Sequence, residues 1–155
     1  MELRRGPDHM MRSVEERKRD VIAVLEAQGH MWLTTAHEGR PHAIGVSAWW
    51  DGVDLVVTTV GTSRTAQNLR EARAATLVAG TPDDAVVIAA ELAESMPAAG
   101  ADQVASGFAS AMGWDPREVG EGWHFFRLRP SRIQAFRGYE EIGGRDVMRR
   151  GRWLA

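Results

Sequence analysis

Hydroxyls, an amide and a cation crowd the stretch T-T-V-G-T-S-R-T-A-Q-N-L, residues 58–69. An apolar run stops at Thr58-Thr59, passes through Gly61-Thr62-Ser63-Arg64 and opens a helical pattern with Ala66 and Leu69 inward. The free N–H groups of a first helical turn point outward, and the helix dipole favours a negative ligand. Arg64 adds a permanent cation with a fork shaped for phosphate oxygens. Thr59, Ser63, Arg64, Thr65 and Asn68 therefore form a candidate anion cradle. The competing reading is an ordinary N-capped helix carrying a solvated arginine.

Other chemistry is sparse. The histidines are His9, His30, His37, His42 and His124, and none pairs at an i, i+4 metal spacing. No metal site is expected. The chain has no cysteine, which excludes disulfides, cysteine-ligated zinc, iron–sulfur clusters and cysteine nucleophiles. No Ser-His-Asp set and no carboxylate pair has a spacing signal, so no catalytic residue is assigned. Trp49, Trp50 and Trp123 suit either the walls of a pocket for a planar ligand or a core or dimer interface.

The elements that must carry the cradle follow from pattern. Apolar runs at 42–50 and 53–59 flank Asp51-Gly52, a hairpin signal because a tight primed turn needs the positive φ that glycine supplies. Within 42–50, Ala43, Gly45, Ser47 and Trp49 share one face of a strand. Gly45 there suits either a flat ring lying along the strand or a bulge at a barrel corner. Further strands are expected at 31–36, 74–80, 85–92 and 123–129, the last broken at Pro130-Ser131 and resumed over 132–137. Ser13-Val14-Glu15-Glu16 is a capping box for a helix that Gly29 closes, with Val14, Val21, Ile22 and Leu25 on one face. Other helices are expected at 62–72 and 97–112. About six mainly antiparallel strands with peripheral helices make an α+β chain built on an antiparallel barrel. Residues 1–12 read as a flexible arm, 13–140 as the barrel domain and 141–155 as a basic tail.

The stretch at 58–69 resembles a segment of the pyridoxamine 5'-phosphate oxidase-like flavoproteins, written roughly T-N-x-x-S-R-K-A-x-x-L. The order of elements over about 30–140 is similar as well. The resemblance implies a split β-barrel, a homodimer, and FMN or the related deazaflavin coenzyme F-420 at the dimer interface. It places Ser63 and Arg64 as phosphate ligands, with Thr58, Thr59 and Asn68 beside them and Val46 and Ser47 along the ring. Thr65 stands where that family often has a lysine. Ile44 and Trp49 stand where the oxidase strand motif R-x-V-L-L-K has its arginine and lysine. The chain is thus a divergent relative. What the resemblance implies is an oxidoreductase acting on a small organic substrate; a non-catalytic flavin or haem carrier or sensor is the alternative.

Composition sets the outer bounds. The chain has 155 residues, 44% hydrophobic and 26% charged, ordinary for one globular domain. A net charge of -2 gives no reason to expect nucleic acid. No apolar run approaches about 18 residues, so no membrane span is expected. No secretory signal is evident at the N-terminus, and a cytoplasmic location is expected. Lys18 is the one lysine among 19 basic residues, a bias that fits a GC-rich genome.

Overall fold

Ser13 starts the first helix, α1 (Val14–Glu26), through the expected capping box. Its hydroxyl accepts from the Glu16 N–H, and the Glu16 carboxylate accepts from the Ser13 N–H. The computed structural model describes residues 11–27 and 29–155. Of the arm expected at 1–12, the remainder lies outside the described residues. Arg12 is held firmly: its guanidinium and backbone N–H bond the buried carboxylate of Glu141. α1 ends at Glu26 with Ala27 as its cap, short of Gly29. It buries Val21, Leu25 and the stem of Arg17, while Val14 and Ile22 are only half-buried.

The strands are β1 (His30–His37), β2 (Arg40–Ser47), β3 (Trp49–Trp50), β4 (Leu55–Val60), β5 (Ala74–Thr81), β6 (Asp84–Pro97), β7 (Trp123–Arg137), β8 (Asp146–Arg149) and β9 (Arg152–Trp153). Helix α2 (Arg64–Ala72) joins β4 to β5, and α3 (Asp102–Met112) with the short α4 (Pro116–Val119) is inserted between β6 and β7. The strands form one antiparallel sheet in the order β2-β1-β5-β6-β7-β4-β3, with β8 and β9 added beside β7. The two ends of that order, β2 and β3, are consecutive in the chain, joined by the buried Ala48. The sheet therefore curls until its edges meet at Ala48, without closing its hydrogen bonds. None of the described helices is long and apolar enough to cross a membrane.

Several expected elements differ from those observed, each for a physical reason. The run 42–50 is two strands, because β2 pairs with β1 while Trp49-Trp50 pairs with β4. The Asp51-Gly52 turn is a wider loop, 51–54. The Asp51 carboxylate accepts from the N–H groups of Val53 and Asp54, and Arg127 bonds its other oxygen. Burial opposes ionisation there, yet the bonds from Asp54, Val53 and Arg127 hold the carboxyl below its ordinary range. β7 runs unbroken through Pro130, where the register shifts opposite Ala89-Ala90 and relieves the missing N–H. β6 extends five residues past Leu92, to Pro97, which delays the third helix.

The segment 141–155, read as a basic tail, packs into the fold. Val147 and Met148 of β8 are buried in the main core, and Lys18 of α1 lies 5.4 Å over the Trp153 ring. Its one aspartate is held by arginines from β7 and β8. Asp146 accepts from Arg132 at 2.9 Å and from Arg149 at 2.7 Å. The Arg132 bond comes first, with Arg149 and Gln134 adding to it against the cost of burial, and the carboxyl is drawn down to about 2. A depressed carboxyl stabilises the fold above the unfolded value, about 4, and loses that contribution as pH falls toward 2. Asp146→Asn should therefore flatten the acid slope of the thermal midpoint between about pH 4 and pH 2. A slope equal to that of the unsubstituted chain would count against this linkage.

Two cores result. The main one lies inside the curl, built on Leu33, Leu55, Leu69, Leu77, Ile88, Phe126 and Leu128. A second lies on the outer face of β4 and β7 beneath α3, where Phe108 packs on Phe125 with ring centroids 5.5 Å apart. Gly107 lets α3 approach there: a Cβ on it would sit 2.3 Å from the Trp49 ring. Gly107→Val should cost about 2 kcal/mol of unfolding free energy, the usual scale for overpacking. Urea denaturation of the two chains measures it, and equal stability would show that Trp49 simply moves aside.

Candidate cofactor site

The unclosed seam of the sheet is where the cradle residues meet. β2 has β1 as its single strand partner, and β3 covers β4 at Leu55 and Val56 but no further. Between the open edge of β2 and the later part of β4 lies a groove of about 260 Å³. Ile44, Gly45, Val46 and Ser47 form one side, with His30 of β1 at the rim. Thr58 and Thr59 of β4 and Thr65 of α2 form the other, and Trp114 and Trp123 close the end nearest α3.

Gly45 sits in regular register opposite Trp32, so it marks no bulge. A Cβ placed on it would touch nothing within 4 Å. Of the two readings of this glycine, the open strand face is the one present, and the barrel corner falls at Ala48.

The start of α2 is built for an acceptor-rich ligand. Ser63 caps the helix, its Oγ accepting from the Ala66 N–H at 3.1 Å and from the Thr59 hydroxyl at 3.0 Å. The N–H groups of Arg64 and Thr65, in the first turn, have no acceptor among the described residues. Arg64 is exposed and makes no ion pair or hydrogen bond among the described residues. Arg127, Arg129 and Arg132, by contrast, are all paired with aspartates. Thr65 is buried, and its hydroxyl carries no hydrogen bond among the described residues. That leaves a cation, two N–H groups and a free hydroxyl at one end of the groove.

The sequence-derived residues divide by position. Val46, Ser47, Thr58, Thr59 and Thr65 line the groove. Ser63 and Arg64 stand at the adjoining helix start. Asn68 points inward instead, its amide donating to the Thr35 hydroxyl of β1 at 3.1 Å in a buried setting. One of its two amide protons joins α2 to the sheet. Thr58 spends its proton on the His124 carbonyl at 2.9 Å. Of the three tryptophans named from sequence, Trp123 lines the groove, Trp49 packs under Gly107 and Trp50 joins the main core.

Trp114 and His30 were not legible as site residues. Trp114 follows Gly113, the left-handed cap of α3 (φ +80°), and the pairing of a helix-ending glycine with a large aromatic was its one available signal. A larger cavity, about 380 Å³, also borders Trp123, between Pro97–Ala99 and Gly120–Gly122. The guanidinium of Arg117 at its edge is already taken by Asp102 and Asp115. The donors without a partner among the described residues lie in or beside the smaller groove, which is the better candidate for an anionic ligand.

No protein-family model matches the chain, and no curated protein does. Solved structures do. One is an F-420 reductase, at TM-score 0.60 and 18% identity, covering 72% of this chain and 93% of that one. Another is a protein from Clostridium acetobutylicum related to general stress protein 26 of the pyridoxinephosphate oxidase family. It aligns at TM-score 0.61 and 12% identity over 79% of this chain and 89% of that one. The chain has the pyridoxamine 5'-phosphate oxidase-like split-barrel fold. A heme binding protein from Mycobacterium smegmatis shares this split barrel, at TM-score 0.56 and 22% identity, covering 89% of this chain and 58% of that one. At such identities the likeness is one of architecture, and function rests on the groove itself.

Proposed function

We propose that this split-barrel protein binds FMN, or alternatively the deazaflavin coenzyme F-420, in the seam groove and serves as an oxidoreductase for a small organic substrate. The observation that carries the reading is the gathering of Val46, Ser47, Thr58, Thr59 and Thr65 on one groove beside Arg64, which has no ion pair among the described residues, at a helix N-terminus. The free Arg64 and Thr65 N–H groups, the Thr65 hydroxyl and the Arg64 guanidinium fit a phosphate. Val46, Gly45 and Ser47 give a flat, open strand edge for a ring. When bound, the cofactor supplies hydride or electron transfer, and the protein supplies anchorage, orientation and a partly apolar wall. The neighbouring F-420 reductase structure supports the deazaflavin alternative.

The active unit in this reading is a homodimer in the cytoplasm. The outer face of β1, β2 and β5 exposes Trp32, 60% accessible, between Gly45 and Val78. A large exposed aromatic on a face of small residues suits burial against a second copy. Light scattering of the purified chain tests this.

A second reading, a non-catalytic flavin or haem carrier, is supported by the heme-binding neighbour and by His30 at the groove rim. One absorbance spectrum separates these. A flavin band after titration with FMN, or binding of coenzyme F-420, supports the first reading. A Soret band after haem titration supports the second. Failure to bind any of the three overturns both.

A further inference from the structure

Hydrogen-bond polarity around the groove singles out Ser47. A serine hydroxyl has one proton to give and two lone pairs to receive. The Trp114 Nε1–H donates to Ser47 Oγ at 3.3 Å, so one lone pair is taken. Among the described residues no protein acceptor stands against the Ser47 proton. Thr58 and Thr59, across the groove, have already given theirs to the His124 carbonyl and to Ser63. On the ring end of the groove Ser47 is thus a hydroxyl with its donor unspent.

Trp114 is placed for this by aromatic packing. Its ring meets Phe108 edge-on at 5.4 Å and 83°, and Trp123 at 5.6 Å and 76°. Such edge-to-face contacts fix ring orientation. Phe108, a residue of α3, is itself fully buried. The inserted 98–122 segment therefore aims one N–H at one hydroxyl on β2.

We propose that Trp114 is a positioning residue that holds Ser47 as a dedicated donor to the edge of a bound planar ring. The site then selects heteroaromatic rings that present a carbonyl or an unprotonated nitrogen there. This rests on the flavin or deazaflavin reading above and deepens it. Trp114 itself makes its hydrogen bond to the protein.

The test titrates FMN and riboflavin, which share a ring and differ in the phosphate, into the full chain and its variants. Trp114→Phe keeps the aromatic packing and removes the N–H. Ser47→Ala removes the donor, and Ser47→Thr restores a hydroxyl. Trp114→Phe and Ser47→Ala should each weaken both ligands by about three- to tenfold, the worth of one hydrogen bond. Both should shift the bound ring's absorbance band, and the double variant should bind no more weakly than Ser47→Ala. Ser47→Thr should keep most of the affinity. Wild-type affinity and an unshifted band in both Trp114→Phe and Ser47→Ala overturn the proposal while leaving the cofactor reading standing. A wild-type chain that binds neither ligand, nor coenzyme F-420, overturns the cofactor reading and this proposal with it.

Discussion

Arg12→Ala lowers the unfolding free energy by about 3 kcal/mol, the scale of a buried ion pair broken on one side. In a chain of this size that is a drop of roughly 6–12 °C in thermal midpoint. Glu141 is fully buried in the turn after β7. It accepts from the Arg12 guanidinium at 2.7 Å, from the Arg12 N–H at 2.7 Å and from the Arg137 N–H at 2.9 Å. Burial works to raise its pKa, and the bonds from Arg12 and Arg137 overcome it and hold the carboxyl below its ordinary range. Without Arg12 no cation among the described residues offsets the cost of burying that carboxylate. The deficit should therefore begin to shrink while the pH is still above the ordinary carboxyl range of about 4, because the stranded, burial-raised carboxyl takes up its proton early. Arg12→Ala with Glu141→Leu should recover part of the loss. A single variant melting within a degree of the wild type would show that the clamp contributes nothing.

Arg64→Ala weakens FMN binding by about tenfold or more, from the loss of a charge-assisted hydrogen bond. It leaves riboflavin affinity unchanged, because the lost group addresses the phosphate alone. It also leaves the thermal midpoint of the free protein unchanged, since Arg64 makes no ion pair or hydrogen bond among the described residues. The FMN loss should diminish in high salt, as screening removes what the cation contributed. Equal losses for FMN and riboflavin would place Arg64 against the ring or in the fold, and the phosphate assignment would fail.

Local signals carried well from sequence to structure where they were self-contained. The capping box at Ser13 formed as read, and the helix expected at 62–72 begins two residues later under its Ser63 cap, because each satisfies its own backbone donors within a few residues. Long-range choices did not show. Nothing in A-I-G-V-S-A-W-W says that the chain changes partners at Ala48, because both halves are equally apolar. The fate of Asn68 depended on Thr35, thirty-three residues earlier and on another strand. The C-terminal segment read as a basic tail because four arginines lie within its fifteen residues. Its buried apolar residues, Val147 and Met148, were outnumbered on the page but decide its packing. The ring end of the groove was hidden for a similar reason. Trp114 acts through contacts with Ser47, Phe108 and Trp123, none of which is its neighbour in the chain.

The seam between β2 and β4 gives the protein a conflict of interest. Every rung that zipped those two edges together would add a hydrogen bond and harden the barrel against heat. Each would also fill the space in which Gly45, Val46 and Thr58 now face one another across the groove. Improvement by thermal tolerance alone should thus drift toward a sealed cylinder with nowhere to seat a guest.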